Sequence, residues 1–437
     1  MKNNKIIIVM IITILIANIL IYLCSNRNNT YKNEINFYDR LAFSLTKGQL
    51  YIDVKVDEKL KELSNPYNPI ERMKNNIHDL HDYSFYNNHY YVYFGIVPVL
   101  TTYLPYKILT NHNLSYHAAQ IFITLFIIGL FLLLKKIKDN FFKEMPLIIY
   151  LLFCVSLSLI STWNIIIKPS TYSVAILSSI CFGIWSIYFW IKSWLENNEK
   201  KELLYLIIGN LLCALVFGCR PTVGFFGLLF IPTSILLIKK RKINKKRIAK
   251  LLLTLLPYII VFSLLFLYNY LRFDDPFEFG KTYQLTIYDP TSYKWSKEFG
   301  KKLIDILMFF TFKYNNDKFG NNGLFIMFPI LLLNFLTIKK QTRQNLKENK
   351  ILLFTITLFI SCLTIGILDN VFNFRLIQRY RMDVCWLIGL GAFIASGAFR
   401  NTIKNKEKYD FVVCALNIVT IIVFIMLIIV SLNTINI

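Results

Sequence analysis

Asp39 lies in Phe37-Tyr38-Asp39-Arg40-Leu41-Ala42-Phe43-Ser44-Leu45-Thr46-Lys47-Gly48, where Phe37, Leu41 and Leu45 recur at helical spacing and the carboxylate falls on the opposite side. A short helix lying on a membrane in this way holds the acid at a partly desolvated depth. Its basicity then rises enough to take a proton from an acceptor hydroxyl, the work of a general base. The plainer reading of Asp39 is a helix-start acid or a partner for Arg40. A second group, Asn76-Ile77-His78-Asp79-Leu80-His81-Asp82-Tyr83, sets His78, Asp79, His81 and Asp82 side by side. His-x-x-His on one turn can ligate zinc, and carboxylates suit harder ions, so a divalent metal is the one cofactor this group suggests. A solvated polar loop explains it as well.

The third group is cationic. Arg220 stands in Gly218-Cys219-Arg220-Pro221-Thr222, and Arg379 and Arg381 stand in Arg379-Tyr380-Arg381-Met382-Asp383. Guanidinium forks bind phosphate bidentately, which suits an anionic lipid headgroup. Pairing with Asp383, Asp369 or Asp275 is the competing reading for any one of them. An aromatic run from Tyr83 to Phe94 includes Tyr90, Tyr91 and Tyr93, whose flat faces and hydroxyl tips suit a sugar ring or a prenyl chain, and equally suit interface anchoring. The chain has no phosphate-cradling Gly loop, Ser-His-Asp set or thiol nucleophile pattern.

The elements that position these residues are apolar. Hydrophobic residues make up 55% of the 437 and charged ones 17%, well below the quarter usual in soluble domains. Apolar runs of about 16 to 22 residues recur, and about 20 cross a hydrocarbon core. Candidate spans are 6–23, 90–110, 117–134, 146–161, 172–192, 203–219, 222–238, 251–271, 323–338, 351–368, 383–399 and 411–432, the first read as an uncleaved anchor. The expected fold is an all-α polytopic transmembrane bundle of about 11 to 12 spans, with short interfacial helices in its outer loops.

Charge fixes the orientation. The net +23 comes from 49 basic against 26 acidic residues, and the basic residues cluster between apolar runs, which marks topology and excludes a nucleic-acid partner. Lys239 to Lys250 holds eight basic residues and no acid, so it faces the cytoplasm, as do 135–143, 339–350 and 400–408. With a cytoplasmic N-terminus, twelve crossings would put Lys239–Lys250 outside. The Tyr- and Pro-rich segment 90–110 is therefore read as interfacial or re-entrant, leaving eleven crossings and an outside C-terminus. The reading gives one membrane domain over 1–437: a first span at 1–24, a first outer loop at 25–116, central spans at 117–271, a second outer loop at 272–322 and C-terminal spans at 323–437. The eight cysteines lie in or beside apolar runs and read as small core residues.

Taken in order, Tyr38-Asp39, Gly48 to Asp53, Asn65-Pro66-Tyr67-Asn68-Pro69, Tyr83 to Pro98, Arg220-Pro221-Thr222, Asn269 to Phe273 with Pro276 to Gly280, and Arg379 to Asp383 resemble the GT-C superfamily of polytopic glycosyltransferases. Bacterial members similar to protein O-mannosyltransferases and aminoarabinose transferases are nearest in pattern. The resemblance implies a cell-membrane enzyme that moves a sugar from a polyprenyl-phosphate donor to an envelope glycan, lipid or protein at the outer face. It implies Asp39 as the activating acid, with inversion at the anomeric carbon; Arg220, Arg379 and Arg381 are then expected on phosphate, and Tyr90, Tyr91 and Tyr93 on sugar or prenyl. A flippase or exporter of lipid-linked glycan, and an envelope polysaccharide polymerase or ligase, are the alternatives.

Overall fold

Runs of Leu, Ile and Phe too long for a soluble core become helices that need only one another and lipid. In the computed structural model, which describes residues 2–27, 36–77, 81–241, 244–289, 299–315, 319–372 and 376–434, the chain is about 75% helical with one small β-hairpin. Eight helices among the described residues are long and apolar enough to cross a membrane: Asn3–Ser25, His117–Phe141, Thr171–Leu195, Val223–Lys240, Lys245–Phe273, Leu352–Phe372, Gln378–Arg400 and Lys406–Leu432. Burial sorts them. Gln378–Arg400 is 94% buried along its most apolar stretch and forms the axis of the bundle, whereas Asn3–Ser25 and Lys245–Phe273 are only 17% and 22% buried. These outer helices bare Ile8, Leu15, Ile19, Ile259 and Leu264, a belt that water would not tolerate and a lipid bilayer accommodates.

Three expected spans take other forms. Leu147–Ile160 is a shorter apolar helix, and Glu199–Phe217 opens on Glu-Lys-Lys-Glu so that only its later part is apolar. The 323–338 segment is not one α-helix: Leu324–Met327 is a single turn and Pro329–Ile338 is a 3-10 helix of 10 residues. At about 2 Å per residue that piece spans about 20 Å, short of a hydrocarbon core of about 30 Å. The segment 90–110 is broken at 93–96, between the end of a strand and a helical run that passes through a π turn at Val99–Tyr103 into Leu104–Thr110 and is stopped by Asn111 in the left-handed region. Short helices Phe37–Thr46, Glu58–Glu62 and Pro69–Lys74 fill the first loop segment.

Helix direction separates two ends. Glu199–Phe217 and Lys245–Phe273 run from basic clusters toward the Arg220 and Arg272 turns, and Thr171–Leu195, Val223–Lys240 and Gln378–Arg400 run back. At the basic end, wholly buried Glu202 forms ion pairs with Lys240, Arg241 and Arg247, and Arg400 grips Asp410 at 2.7 Å and the Glu144 carbonyl at 2.8 Å. At the other end, the two loop segments close over the bundle.

Candidate functional site

The loop segments meet through backbone. Strands β1 (Tyr83–Tyr86) and β2 (His89–Val92) pair antiparallel about Asn87-Asn88, both with positive φ, the conformation a two-residue hairpin turn requires. The second loop segment lies alongside β1: Asp82 N–H donates to the Leu285 carbonyl (2.7 Å), Leu285 N–H to Tyr83 (2.8 Å) and Phe85 N–H to Tyr283 (2.9 Å). Ser84 Oγ donates to the Gly280 carbonyl at 2.7 Å. Beneath this clasp, a cavity of about 300 Å3 opens between the hairpin, the Gly218–Pro221 turn, the end of Lys245–Phe273 and the start of Gln378–Arg400.

Of the charged side chains on its wall, four are the cations Arg220, Arg272, Lys281 and Arg379 and one is the carboxylate Asp82. Arg220 is held from below: its Nε lies 2.9 Å from each oxygen of Asp383, and its Nη2 lies 2.6 Å from Asp383 and 3.4 Å from Asp369. Both acids are fully buried, so one guanidinium serves two carboxylates, and Tyr380 covers it at 5.1 Å. Among the described residues Arg272, 4% exposed, donates only to neutral acceptors: the Val92 carbonyl (3.0 Å), Asn269 Oδ1 (2.8 Å) and the Tyr268 carbonyl (3.4 Å), with the Tyr268 ring 3.8 Å beneath. Its charge is therefore solvated but not neutralised. Arg379 stacks 4.0 Å over Tyr172, and among the described residues it makes no ion pair.

Lys281 donates to Gln284 Oε1 (3.0 Å) and Tyr288 OH (2.6 Å), and burial pushes its ammonium down to about 8. Asp82 accepts from Gln284 Nε2 at 3.0 Å and from Tyr172 OH, with exposed His81 at 3.6 Å. Those two donors fix a carboxylate at the cavity edge. Tyr93, Phe94, Tyr268 and Tyr288 supply flat walls. The arrangement offers phosphate-binding cations, one carboxylate for a proton, and apolar faces for a ring or chain.

One close approach sets the depth of the cavity. A Cβ on Gly95 would lie 2.2 Å from the Gly218 carbonyl oxygen, the atom to which Val97 N–H donates at 2.9 Å. Gly95→Ala therefore pushes the Arg220 turn outward. We expect it to cost about 1 to 3 kcal/mol, read as a lower melting temperature in detergent, because an overpacked backbone cannot simply repack.

The sequence candidates divide. Arg220, Arg379 and Tyr93 line the cavity; Asp39, Tyr90, Tyr91 and Arg381 do not. Asp39, expected to stand off its helix, turns inward and is 3% exposed, because the Leu114 and Ser115 N–H groups ahead of His117–Phe141 need acceptors and donate to it at 2.8 and 3.1 Å. Burial holds its carboxyl above the usual range, against the pull of those two donors. Arg381 instead ties Phe299–Phe310 to the axis, donating to the Phe309 (3.0 Å) and Asn321 (2.8 Å) carbonyls. Tyr90 packs on Phe85 and Tyr91 on Phe273. His78 and Asp79 lie outside the described residues, and among the described residues no three His, Cys, Asp or Glu gather as a metal group would.

Sequence reasoning gave Lys281, Gln284 and Tyr172 no role. Lys281 and Gln284 lie in a loop segment and Tyr172 at the start of the Thr171–Leu195 helix, and no local pattern in the sequence joins them. Compared with known proteins, the chain matches no protein-family model and no curated protein sequence.

Proposed function

We propose that the chain is an integral membrane glycosyltransferase that moves a sugar from a polyprenyl-phosphate donor to an acceptor hydroxyl at the extracytoplasmic border of the cell membrane. One observation carries the reading: four cations and Asp82 converge on an aromatic-walled cavity at the end of the bundle away from the basic clusters. Nucleotide sugars are not supplied on that side, so the donor must be membrane-borne, and its phosphate needs cations at bilayer depth. Arg272, Arg379 and Lys281 are suited to hold the phosphate, and Arg220, already shared by Asp383 and Asp369, to fix the Gly218–Pro221 turn at the cavity wall.

In this reading Asp82, not Asp39, takes the acceptor hydroxyl proton as the acceptor oxygen bonds to the anomeric carbon. The bond from that carbon to the phosphate oxygen breaks, and its electron pair leaves on the polyprenyl phosphate. Cations stabilise the charge that develops there, where low dielectric makes each one worth most. Tyr172 and Gln284 orient the base.

The test is transfer of radiolabelled sugar from a polyprenyl-phosphate sugar into an isolated cell-envelope fraction by the purified chain in proteoliposomes. Label appearing in a prenyl-free product supports the reading. A chain that neither binds nor consumes the donor refutes it.

The same site predicts a pH dependence. An amine with a pKa of about 8 is charged below that pH and neutral above it, so affinity for polyprenyl phosphate should fall as pH rises through about 8. Lys281→Arg keeps its charge throughout and should remove that fall. An unchanged profile in the variant would exclude Lys281 as a phosphate ligand.

A further inference from the structure

A second cavity, of about 380 Å3, lies at the basic end of the bundle, between Val223–Lys240 and Lys245–Phe273. Its walls are nearly all apolar, with Leu237 wholly buried at its floor and Ile238, Ile248 and Leu252 at the rim, 40%, 46% and 62% exposed. Among the described residues the only charged one lining it is Arg247, whose side chain is 6% exposed. Arg247 pairs with Glu202 and, at 3.4 Å, with Glu199, but its buried Nε has no hydrogen-bond partner among the described residues. An unsatisfied buried donor carries a desolvation cost, so this corner has a hydrogen bond to give that the protein does not take up.

Charge around the rim is unbalanced as well. Glu202 is spent on Lys240, Arg241 and Arg247, and Glu199 on Arg247 and Lys250. Lys245 and Lys246, exposed on the first turn of the Lys245–Leu253 helix, have no ion-pair partner among the described residues. The cavity thus combines an apolar slot on a sparsely covered side of the bundle with uncompensated cations on the helical turn that leads into its rim residue Ile248.

We propose that this groove is a binding site for an anionic phospholipid of the surrounding leaflet, one acyl chain in the slot and the phosphate on Lys245 and Lys246. Charge complementarity selects this occupant. A zwitterionic lipid would fill the slot but leave the lysines uncompensated, and a soluble anion would meet the lysines but not the slot. The proposal does not depend on the transferase reading.

Native mass spectrometry of the full chain released from nanodiscs of phosphatidylcholine doped with phosphatidylglycerol tests it. The wild type should retain phosphatidylglycerol in preference to phosphatidylcholine. Lys245→Gln with Lys246→Gln should weaken that retention about tenfold or more, since each basic residue near a surface contributes substantially to anionic-lipid affinity. Ile238→Trp, at the exposed rim, should weaken it with every charge intact, whereas Lys55→Gln with Lys59→Gln in the far loop segment should leave it unchanged. Equal retention of the two lipids by the wild type, full retention in the double lysine or the tryptophan variant, or displacement of the lipid by inorganic phosphate alone would each overturn the site.

Discussion

Asp82→Asn should lower sugar transfer about 100- to 10,000-fold, the range a positioned general base contributes, while the melting temperature and donor affinity stay near those of the wild type. The amide keeps the shape of the carboxylate and can still engage Gln284 and Tyr172, so the fold of the cavity edge survives. Initial-rate transfer assays beside donor-binding measurements separate the two effects. Asp39→Asn makes the opposite prediction. There an amide must face two N–H donors at 2.8 and 3.1 Å, and one of them loses its acceptor. The expected result is a loss of stability with the rate per folded molecule little changed. Full transfer activity in Asp82→Asn, or a collapse of the per-molecule rate in Asp39→Asn, would return the base to Asp39 and remove the mechanism proposed here.

Arg220→Met should be the most destabilising single change at this end of the bundle. It leaves Asp383 and Asp369, both fully buried, facing each other without the guanidinium that lies 2.6 and 3.4 Å from them. Removing one partner of a buried ion pair costs about 3 to 5 kcal/mol, since the charge left behind has neither water nor a counter-ion. Denaturation in detergent measures it. Adding Asp369→Asn and Asp383→Asn to Arg220→Met should recover much of the loss, because neutral amides in the same volume need no counter-charge. A triple variant as unstable as the single one would show that Arg220 acts through packing on Tyr380, 5.1 Å away, and not through charge.

What could be read from the chain depended on range. Helices with strong apolar runs were legible, as in Thr171–Leu195 and Gln378–Arg400, since hydropathy is a local property. So was a break in 90–110, though it falls at 93–96 beside Gly95, with Pro98 in the first turn of the helix that follows and Pro105 inside it. The shortening of 323–338 was not, because apolar content says nothing of whether a segment winds as α or 3-10. Arg220 drew attention as a cation out of place, and its pairing with Asp383 and Asp369 was one of the two readings open for it. The inward turn of Asp39 was not legible, because a helical wheel shows which side a residue occupies but not what lies there. Its partners, Leu114 and Ser115, are 75 and 76 residues away. Asp82, Lys281 and Arg272 became a site only through contacts between β1 and the 280–285 stretch, which no local pattern encodes.

That clasp also governs the order of assembly. Ser84 and Gly280 are 196 residues apart, and the backbone bonds that seal the cavity roof all cross a comparable gap. During synthesis the hairpin therefore emerges long before its partner exists, and it must wait, aromatic face bare, through the insertion of every intervening helix. Competence is acquired late and in one step. A truncated chain ending before 280 would lack more than the roof, since the Gln378–Arg400 axis, the Arg379 wall of the cavity and the two carboxylates that hold Arg220 all follow it in the chain.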